Sequence, residues 1–129
     1  MILLDTHVLI WMTNDPLKLS KKAENAIRAA ASGGGLAISA MTLWELAYLA
    51  ARGRVNPSGT IEAFVRKITS RVAIQPITPE IAVIASQFPA SYPADPTDKL
   101  IGATALVEGM ALVTADKKIL QSGQVRTIW

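Results

Sequence analysis

Short aliphatic runs alternate with longer alanine-rich segments of helical period along the whole chain. This alternation favours a parallel β-sheet whose strands are joined by crossover helices. The aliphatic runs predict strands at residues 2–4, 36–39, 72–75, 111–114 and 125–128. The intervening segments predict helices at residues 7–13, 21–31, 41–52, 60–70, 79–87 and 96–108. We therefore expect an α/β fold, a three-layer α/β/α sandwich with a central, mostly parallel five-stranded sheet.

Capping residues support several of these helix boundaries. Ser20 precedes one helix, and Thr78 and Asp95 each precede a proline, the residue favoured at the first helical position. Gly109 follows the last long helix and is a typical stop residue. No repeat or linker interrupts the 129 residues, which predicts a single domain over residues 1–129.

The residue types that are missing exclude several classes of protein. The chain has no cysteine and one histidine, His7, so a cysteine-ligated zinc site, a thiol nucleophile and a histidine-rich metal site are all excluded. Half of the residues are hydrophobic, which argues against disorder, yet no apolar run reaches the roughly 18 residues of a membrane span. The apolar first residues contain Asp5 and follow no basic segment, unlike a signal peptide. We expect a soluble cytoplasmic protein.

Two aspartates follow predicted strands. Asp5 comes directly after the first strand, and Asp116 follows the fourth strand after one alanine. The carboxyl ends of parallel strands share one edge of the sheet, and open α/β sheets bind ligands beyond that edge. Each aspartate has a structural alternative, which is to cap the next turn.

Glu45 lies in an unusually apolar helix, because within residues 40–51 only Thr42 and Glu45 are outside the hydrophobic class. Such a helix has no evident solvated face, and a buried carboxylate is costly unless it is paired or binds a cation. The alternative is a capping box in which Thr42 is the N-cap and Glu45, three residues on, reaches back to it.

Asp95 and Asp98 fall in the first turn of the helix predicted at residues 96–108. Capping explains Asp95 well, and the helix dipole favours Asp98. Two carboxylates in one turn repel each other, however, and a nearby cation would relieve that repulsion.

Four acids from distant parts of the chain are thus expected at one edge of the sheet: Asp5, Glu45, Asp98 and Asp116. Carboxylates confined to one pocket raise one another's pKa values and destabilise the fold unless a cation neutralises them. Ligands that are all oxygen select a hard ion, Mg²⁺ or Mn²⁺. Magnesium held by a few carboxylates keeps open positions and can therefore bind a phosphate.

The basic residues fit a polyanionic partner around such a site. Lysine and arginine number 13 against 10 aspartates and glutamates, and setting the four acids aside leaves 6 acidic residues. A net positive rim would attract a nucleic-acid backbone, although a mildly basic surface is also typical of an ordinary solvated protein. The candidate substrate-binding residues near the site edge are Arg52, Arg54, Lys99, Lys117 and Lys118.

Four segments, in this order, resemble the PIN domain and, within it, the VapC-type toxins of type II toxin–antitoxin pairs. They are MILLDTHVLIW, SAMTLWELAYLAARGR, DPTDKLIGATALVEG and ALVTADKKI, which together span essentially the whole chain. The resemblance implies a Mg²⁺- or Mn²⁺-dependent endoribonuclease that hydrolyses RNA with activated water. It also implies a homodimer and a cognate VapB-type antitoxin.

The resemblance also assigns roles to individual residues. The family's catalytic, metal-binding acids match Asp5, Glu45, Asp98 and Asp116. Thr6 and Thr114 match hydroxyl residues that support the first and last of these acids, and Asp95 matches an extra aspartate with an outer or optional metal contact. Lys99 is a departure, since related motifs commonly carry arginine there; lysine keeps the charge but lacks the planar fork.

An antitoxin segment would need an apolar groove, for which the sequence offers Trp11, Leu43, Trp44 and Tyr48. The alternative is that these side chains are ordinary core, and we expect this for at least half of them. A histidine-pair ribonuclease mechanism would need two imidazoles. We therefore expect His7 to act at the helix start or in packing.

Two functions of other classes compete with a nuclease. A phosphotransfer protein also gathers aspartates at strand ends, but its dehalogenase-like form needs a second aspartate two residues after the first, where this chain has His7. Glu45 would have no role in such a protein. The second alternative is a catalytically silent module that binds RNA or an antitoxin, although such a module has no need of mutually repelling carboxylates.

Overall fold

The computed structural model describes residues 1–129 and contains one five-stranded β-sheet. The strands lie in the order β3-β2-β1-β4-β5. All four neighbouring pairs are parallel, so the expected mostly parallel sheet is in fact wholly parallel. The strand bounds are β1 Ile2–Leu4, β2 Leu36–Ser39, β3 Ala73–Gln75, β4 Leu112–Val113 and β5 Thr127–Ile128.

Seven α-helices flank the sheet, and the six expected helices are all present. Their bounds are α1 Thr6–Asn14, α2 Lys21–Ser32, α3 Ala40–Ala51, α4 Ile61–Ile68, α5 Pro79–Ser86, α6 Pro96–Glu108 and α7 Lys117–Ser122. Two further elements were not predicted: α7 and a 3-10 turn at Pro16–Lys18. Both are too short to show a helical period.

The expected caps are confirmed. The side chains of Ser20, Thr78 and Asp95 each accept a hydrogen bond from a backbone N–H in the first turn of the following helix. Gly109 ends α6 with φ of +67°, a left-handed conformation that favours glycine. No helix combines the length and apolar character needed to cross a membrane.

The core lies on both faces of the sheet, since successive side chains of a strand point to opposite faces. Leu4 packs with Val8, Ile27 and Ile38 on one face. Leu3 packs on the other face with a cluster that includes Tyr92, Ile101 and Ile119. The central strand β1 is therefore packed on both faces, and this packing fixes the position of Asp5, the residue that follows it.

The strand order reverses at β1, because the chain runs outward to β2 and β3 on one side and later to β4 and β5 on the other. Open α/β sheets bind ligands at such a reversal, beyond the carboxyl ends of the strands. Asp5 follows β1 and Asp116 lies two residues beyond Thr114, just after β4. Both predicted aspartates therefore lie at the reversal point.

Candidate active site

Asp5 is buried, and each of its carboxylate oxygens accepts a hydrogen bond. It is the N-cap of α1, with Oδ1 accepting a 2.9 Å hydrogen bond from the backbone N–H of Thr6. Its Oδ2 accepts a 2.8 Å hydrogen bond from the Thr114 hydroxyl. Only 4% of the residue is exposed, so the carboxylate has one fixed orientation at the sheet edge.

Thr114 links this carboxylate to the next acid along the edge. Its hydroxyl oxygen accepts a 3.1 Å hydrogen bond from the backbone N–H of Asp116 while it donates to Asp5. Asp116 is the N-cap of α7, with Oδ1 accepting from the Ile119 N–H at 3.0 Å. The capping alternative for Asp5 and Asp116 is thus correct, and it leaves both carboxylates at the predicted edge.

Glu45 is not part of a capping box, so that alternative is wrong. The N-cap of α3 is Ser39, whose side chain accepts from the Met41 N–H, and the helix begins at Ala40. Thr42 is instead buried inside the helix, where its hydroxyl lies 3.0 Å from the Thr6 hydroxyl. The strand β2 continues directly into α3, and this early start moves Glu45 into the second turn.

The Glu45 carboxylate is partly buried and incompletely satisfied. Its Oε1 atom is inaccessible to solvent and has no hydrogen-bond partner. Burial raises the pKa of Glu45 above its ordinary value; the Thr6 hydroxyl opposes this, and the charges of Asp5 and Asp95 add to it. An orphaned carboxylate oxygen beside other acids is costly unless a cation approaches it.

Asp95 and Asp98 occupy the start of α6 in different ways. Asp95 is exposed and caps the helix, with Oδ1 accepting from the Thr97 N–H at 2.8 Å. Asp98 is half-buried, and no hydrogen bond or salt bridge engages its carboxylate. The buried Tyr92 hydroxyl donates a 2.8 Å hydrogen bond to the Asp98 backbone carbonyl and so fixes the turn below it.

The pKa of Asp98 reflects its burial and the acids around it. Burial, followed by the charges of its acidic neighbours, raises the pKa of Asp98 to about 7 from its ordinary 3.8. The contributing neighbours are Asp5, Asp95, Asp116 and Glu45. Five acids from four parts of the chain therefore act on one pocket.

The carboxylates have the chemistry that a hard divalent ion needs, but they are not arranged as a complete coordination shell. No group of three or more histidine, aspartate or glutamate side chains is arranged to hold a metal ion. The carboxylates offer only oxygen donors, the type that Mg²⁺ and Mn²⁺ prefer. The unpartnered Glu45 oxygen and the unengaged Asp98 carboxylate are the groups that can turn toward an ion.

The candidate substrate-binding residues are placed unequally. Arg54 lines a cavity of about 480 Å³ together with Glu45 and Asp95, which brings one cation next to the acids. Lys99 is half-buried in the first turn of α6, one residue after Asp98. Arg52 lies over the Tyr48 ring, and the remaining two cations are exposed at the start of α7: Lys117 and Lys118.

His7 has the structural role that was expected for it, at the start of α1 and in packing. Its Nε2 accepts a 2.9 Å hydrogen bond from the backbone N–H of Ala115, which ties α1 to the turn after β4. Its Nδ1 lies 3.8 Å from Asp5 Oδ2, and its ring packs edge-on against Trp11 with centroids 4.9 Å apart. The imidazole therefore braces the two aspartate-bearing segments.

The four residues of the predicted antitoxin groove divide into two kinds. Trp11 packs against Trp129 at 5.9 Å between ring centroids, and Leu43 packs against the core. Trp44 and Tyr48 are exposed and line the cavity beside Glu45. The core alternative therefore holds for Leu43 and in large part for Trp11.

Similar proteins match almost the entire chain. Residues 2–123 match the PIN domain family. The chain is 36% identical over 130 residues to Ribonuclease VapC22 of Mycobacterium tuberculosis, covering 99% of this chain and 98% of that protein.

Two solved structures show the same fold at lower identity. VapBC2 from Rickettsia felis, bound to a DNA fragment from its promoter, matches with a TM-score of 0.74 at 20% identity, covering 98% of this chain and 97% of that chain. DNA-bound VapBC from Salmonella typhimurium matches with a TM-score of 0.71 at 23% identity, over 98% and 97% of the two chains. The family resemblance read from the sequence is confirmed, and the chain belongs to the PIN-domain family, among its VapC-type members.

Proposed function

We propose that this protein is a Mg²⁺- or Mn²⁺-dependent endoribonuclease that acts as the toxin of a toxin–antitoxin pair. Membership of the PIN family and 36% identity to a VapC ribonuclease support the reaction class. The observation that carries the proposal is the half-buried Asp98 carboxylate, on which Asp5, Asp95, Asp116 and Glu45 all act electrostatically. Such mutual repulsion makes sense when a cation binds among these groups.

The five acids would contact that ion in different ways. Asp5, Glu45, Asp98 and Asp116 would bind it, and Asp95, exposed at the helix start, would contribute an outer contact. When bound, the ion supplies an activated water nucleophile at neutral pH and neutralises charge on the scissile phosphate. Thr114 and Thr6 hold the carboxylate of Asp5 in place through the hydrogen bonds described above.

No histidine is free to act as a general base. His7 is the only histidine, and its Nε2 already accepts the Ala115 N–H at 2.9 Å. The products should therefore be those of water attack, with 5′-phosphate and 3′-hydroxyl ends. A 2′,3′-cyclic phosphate would show that the ribose hydroxyl is the nucleophile.

The cations around the acids would bind the RNA backbone, with Arg54 and Lys99 nearest the acids and Arg52, Lys117 and Lys118 further out. Lysine and arginine side chains that contact phosphates neutralise the charge of a nucleic-acid backbone and supply most of the affinity that does not depend on sequence. We propose that the activity is cytoplasmic, because an RNA substrate would be found there.

A cognate antitoxin would bind in a second cleft. A cavity of about 1150 Å³ lies between α1, α2 and α4, with apolar side chains such as Ile10 and Phe64 on its walls. Arg54, Lys67 and Arg71 also line it and no acid does, so it suits an amphipathic segment that carries negative charge. We favour this cleft as the antitoxin site over the apolar groove that was expected from the sequence.

We further propose that the protein is a homodimer.

A cleavage assay on total RNA tests the proposed reaction. Wild-type protein with Mg²⁺ or Mn²⁺ should cut RNA, Asp5→Ala should not, and end mapping should give 5′-phosphates. Cleavage that is unaffected by a chelator, or by Asp5→Ala, would refute the assignment. RNA binding without cleavage at saturating Mn²⁺ would favour a silent binding module instead.

A further inference from the structure

The outer face of α3 carries an aromatic ladder, by which we mean Trp44, Tyr48 and Arg52, spaced four residues apart. The Trp44 and Tyr48 rings are stacked, with centroids 4.9 Å apart and planes inclined by 28°. The Arg52 guanidinium lies over the Tyr48 ring at 4.7 Å. Residues four apart are neighbours on one face of a helix, so the three flat groups form a continuous stack.

The ladder is not part of the protein core. Trp44 is 54% exposed and Tyr48 is 40% exposed. The other two tryptophans behave differently, since Trp11 and Trp129 are half-buried against each other. Trp44 ends the stack, no further aromatic ring packs against it, and more than half of the residue is accessible to solvent and so to a ligand.

The ladder is continuous with the candidate active site. Trp44 and Tyr48 line the same cavity of about 480 Å³ as Glu45 and Asp95. Glu45 is also the residue next to Trp44 in the chain. A ligand that reaches the carboxylates along this wall must pass the ladder.

Two cations stand at the far end of the ladder. Gly53, with φ of +71°, turns the chain after α3, and the Arg54 N–H bonds the Leu49 carbonyl at 3.0 Å. After this turn Arg54 lines the cavity that Trp44 and Tyr48 also line. Neither Arg52 nor Arg54 forms a salt bridge with a carboxylate, so both charges are available to phosphates.

We propose that Trp44 is a base-stacking residue that receives a nucleobase of single-stranded RNA beside the scissile phosphate. Tyr48 is a positioning residue that holds the indole, and Arg52 and Arg54 bind neighbouring phosphates. Open aromatic faces combined with a basic groove are the features by which proteins bind single strands. This inference rests on the proposed ribonuclease function and assigns part of its substrate recognition.

Binding of labelled oligonucleotides tests the ladder in an Asp98→Asn background, which prevents cleavage. The probes are a ten-nucleotide single-stranded RNA and a strand of equal length with abasic sites at every position. Trp44→Leu should weaken binding of the normal strand by roughly 5- to 150-fold, the range for loss of one base stack. Trp44→Phe should recover most of the affinity, and Tyr48→Phe should match the parent while Tyr48→Leu does not.

The abasic strand separates stacking from charge. It should bind the parent and Trp44→Leu equally, because it has no base to stack. Leu17→Ala is the matched control, since it removes a side chain that is 95% exposed on a different element, and it should bind both strands like the parent. An equal loss on both strands after Trp44→Leu would overturn the proposal.

A second copy of the chain is the competing occupant of this face. Sedimentation of the same variants detects it: dissociation of a dimer by Trp44→Leu with RNA affinity unchanged would overturn base stacking. The two proposals also fail separately. If the wild type cleaves RNA but Trp44→Leu does not change RNA affinity, only the base-stacking proposal is refuted. If binding depends on the bases but the wild type does not cleave RNA in any divalent ion, only the proposed ribonuclease function is refuted.

Discussion

The Thr114 hydroxyl donates a 2.8 Å hydrogen bond to Asp5 Oδ2, which joins two residues 109 positions apart in the chain. The same hydroxyl oxygen accepts from the Asp116 N–H at 3.1 Å. One buried side chain therefore sets the relative position of the acids that follow β1 and β4. Because Asp5 has a fixed orientation, the site depends on a hydroxyl as well as on its carboxylates.

Replacing Thr114 by Val should damage both stability and activity. The substitution keeps the shape but leaves a buried Asp5 oxygen and the Asp116 N–H without their partner. We expect the free energy of unfolding to fall by about 2 kcal/mol, as for the loss of a hydrogen bond to a charged group. Urea unfolding measures the loss of stability, and a cleavage assay should show that the rate of RNA cleavage also falls.

Thr104→Val is the matched control for Thr114→Val. Thr104 is also fully buried, but its hydroxyl bonds only the Leu100 carbonyl of its own helix. It should leave cleavage intact. If both variants lose the same activity, Thr114 has no special link to the site.

Asp98→Asn should make the protein more stable at high pH while abolishing cleavage. The pKa of Asp98 is raised from 3.8 to about 7, so the folded state holds a proton that the unfolded state has lost. Stability therefore falls as the pH rises from about 4 to about 7. The half-exposed carboxylate is screened by solvent, and we expect the variant to gain about 1 kcal/mol at pH 8.

Urea unfolding with a chelator present, from pH 4 to pH 8, measures this gain. The difference between Asp98→Asn and wild type should vanish at the acid end, where both side chains are neutral. Glu80→Gln is the control, since Glu80 is an exposed acid in the first turn of α5. A marked loss of stability in Asp98→Asn at pH 8 would mean that Asp98 serves mainly the helix start.

Much of this arrangement could be predicted from the sequence, because strand ends and caps are encoded locally. Asp5 follows a three-residue strand, and Asp95 with Pro96 is a recognisable helix start. The sheet edge on which they meet follows from the parallel topology. The pairing of the fourth strand with the first completes the parallel sheet.

The details that the sequence concealed depend on contacts between distant residues. Glu45 fitted a capping box on spacing alone, but β2 runs straight into α3 and makes Ser39 the cap. Thr42 pairs with Thr6, a contact between hydroxyls 36 residues apart that no local pattern encodes. The contact of Tyr92 with Asp98 and that of His7 with Ala115 were not predicted for the same reason, although a structural role for His7 was expected.

Divalent ions should stabilise the protein through Glu45. A ligand at about 100 times its dissociation constant adds about 2.7 kcal/mol to the free energy of unfolding. We expect saturating Mn²⁺ to raise the wild-type melting temperature and to raise that of Glu45→Gln much less. Without metal the Gln variant should be at least as stable as wild type, because it removes a buried charge whose Oε1 has no partner.

Calorimetric titration with Mn²⁺ checks this effect independently of activity, and Glu80→Gln is again the control. That variant should retain the wild-type response to Mn²⁺, since Glu80 lies on α5, outside the site. Equal stabilisation of Glu45→Gln and wild type would remove Glu45 from the set of ligands.

Gly102 and Tyr92 should behave as a coupled pair. A Cβ added at Gly102 would overlap the Tyr92 hydroxyl, and the side chain of Tyr92 is buried and stacked on Phe88 at 4.2 Å between centroids. Burial raises the pKa of Tyr92, so its hydroxyl stays protonated and donates to the Asp98 carbonyl. Gly102→Ala should therefore displace the ring and cost about 1–3 kcal/mol, as overpacking does.

The coupling between Gly102 and Tyr92 can be measured with a double-mutant cycle. Gly102→Ala should cost far less in a Tyr92→Ala background, because the overlapping ring is gone and alanine favours the helix over glycine. Gly102→Ala alone should also lower RNA cleavage, since the ring that fixes the Asp98 turn has moved. Additive unfolding energies in the cycle would show that the two positions are independent. In that case the start of α6 would owe its geometry to the Asp95 cap rather than to Tyr92.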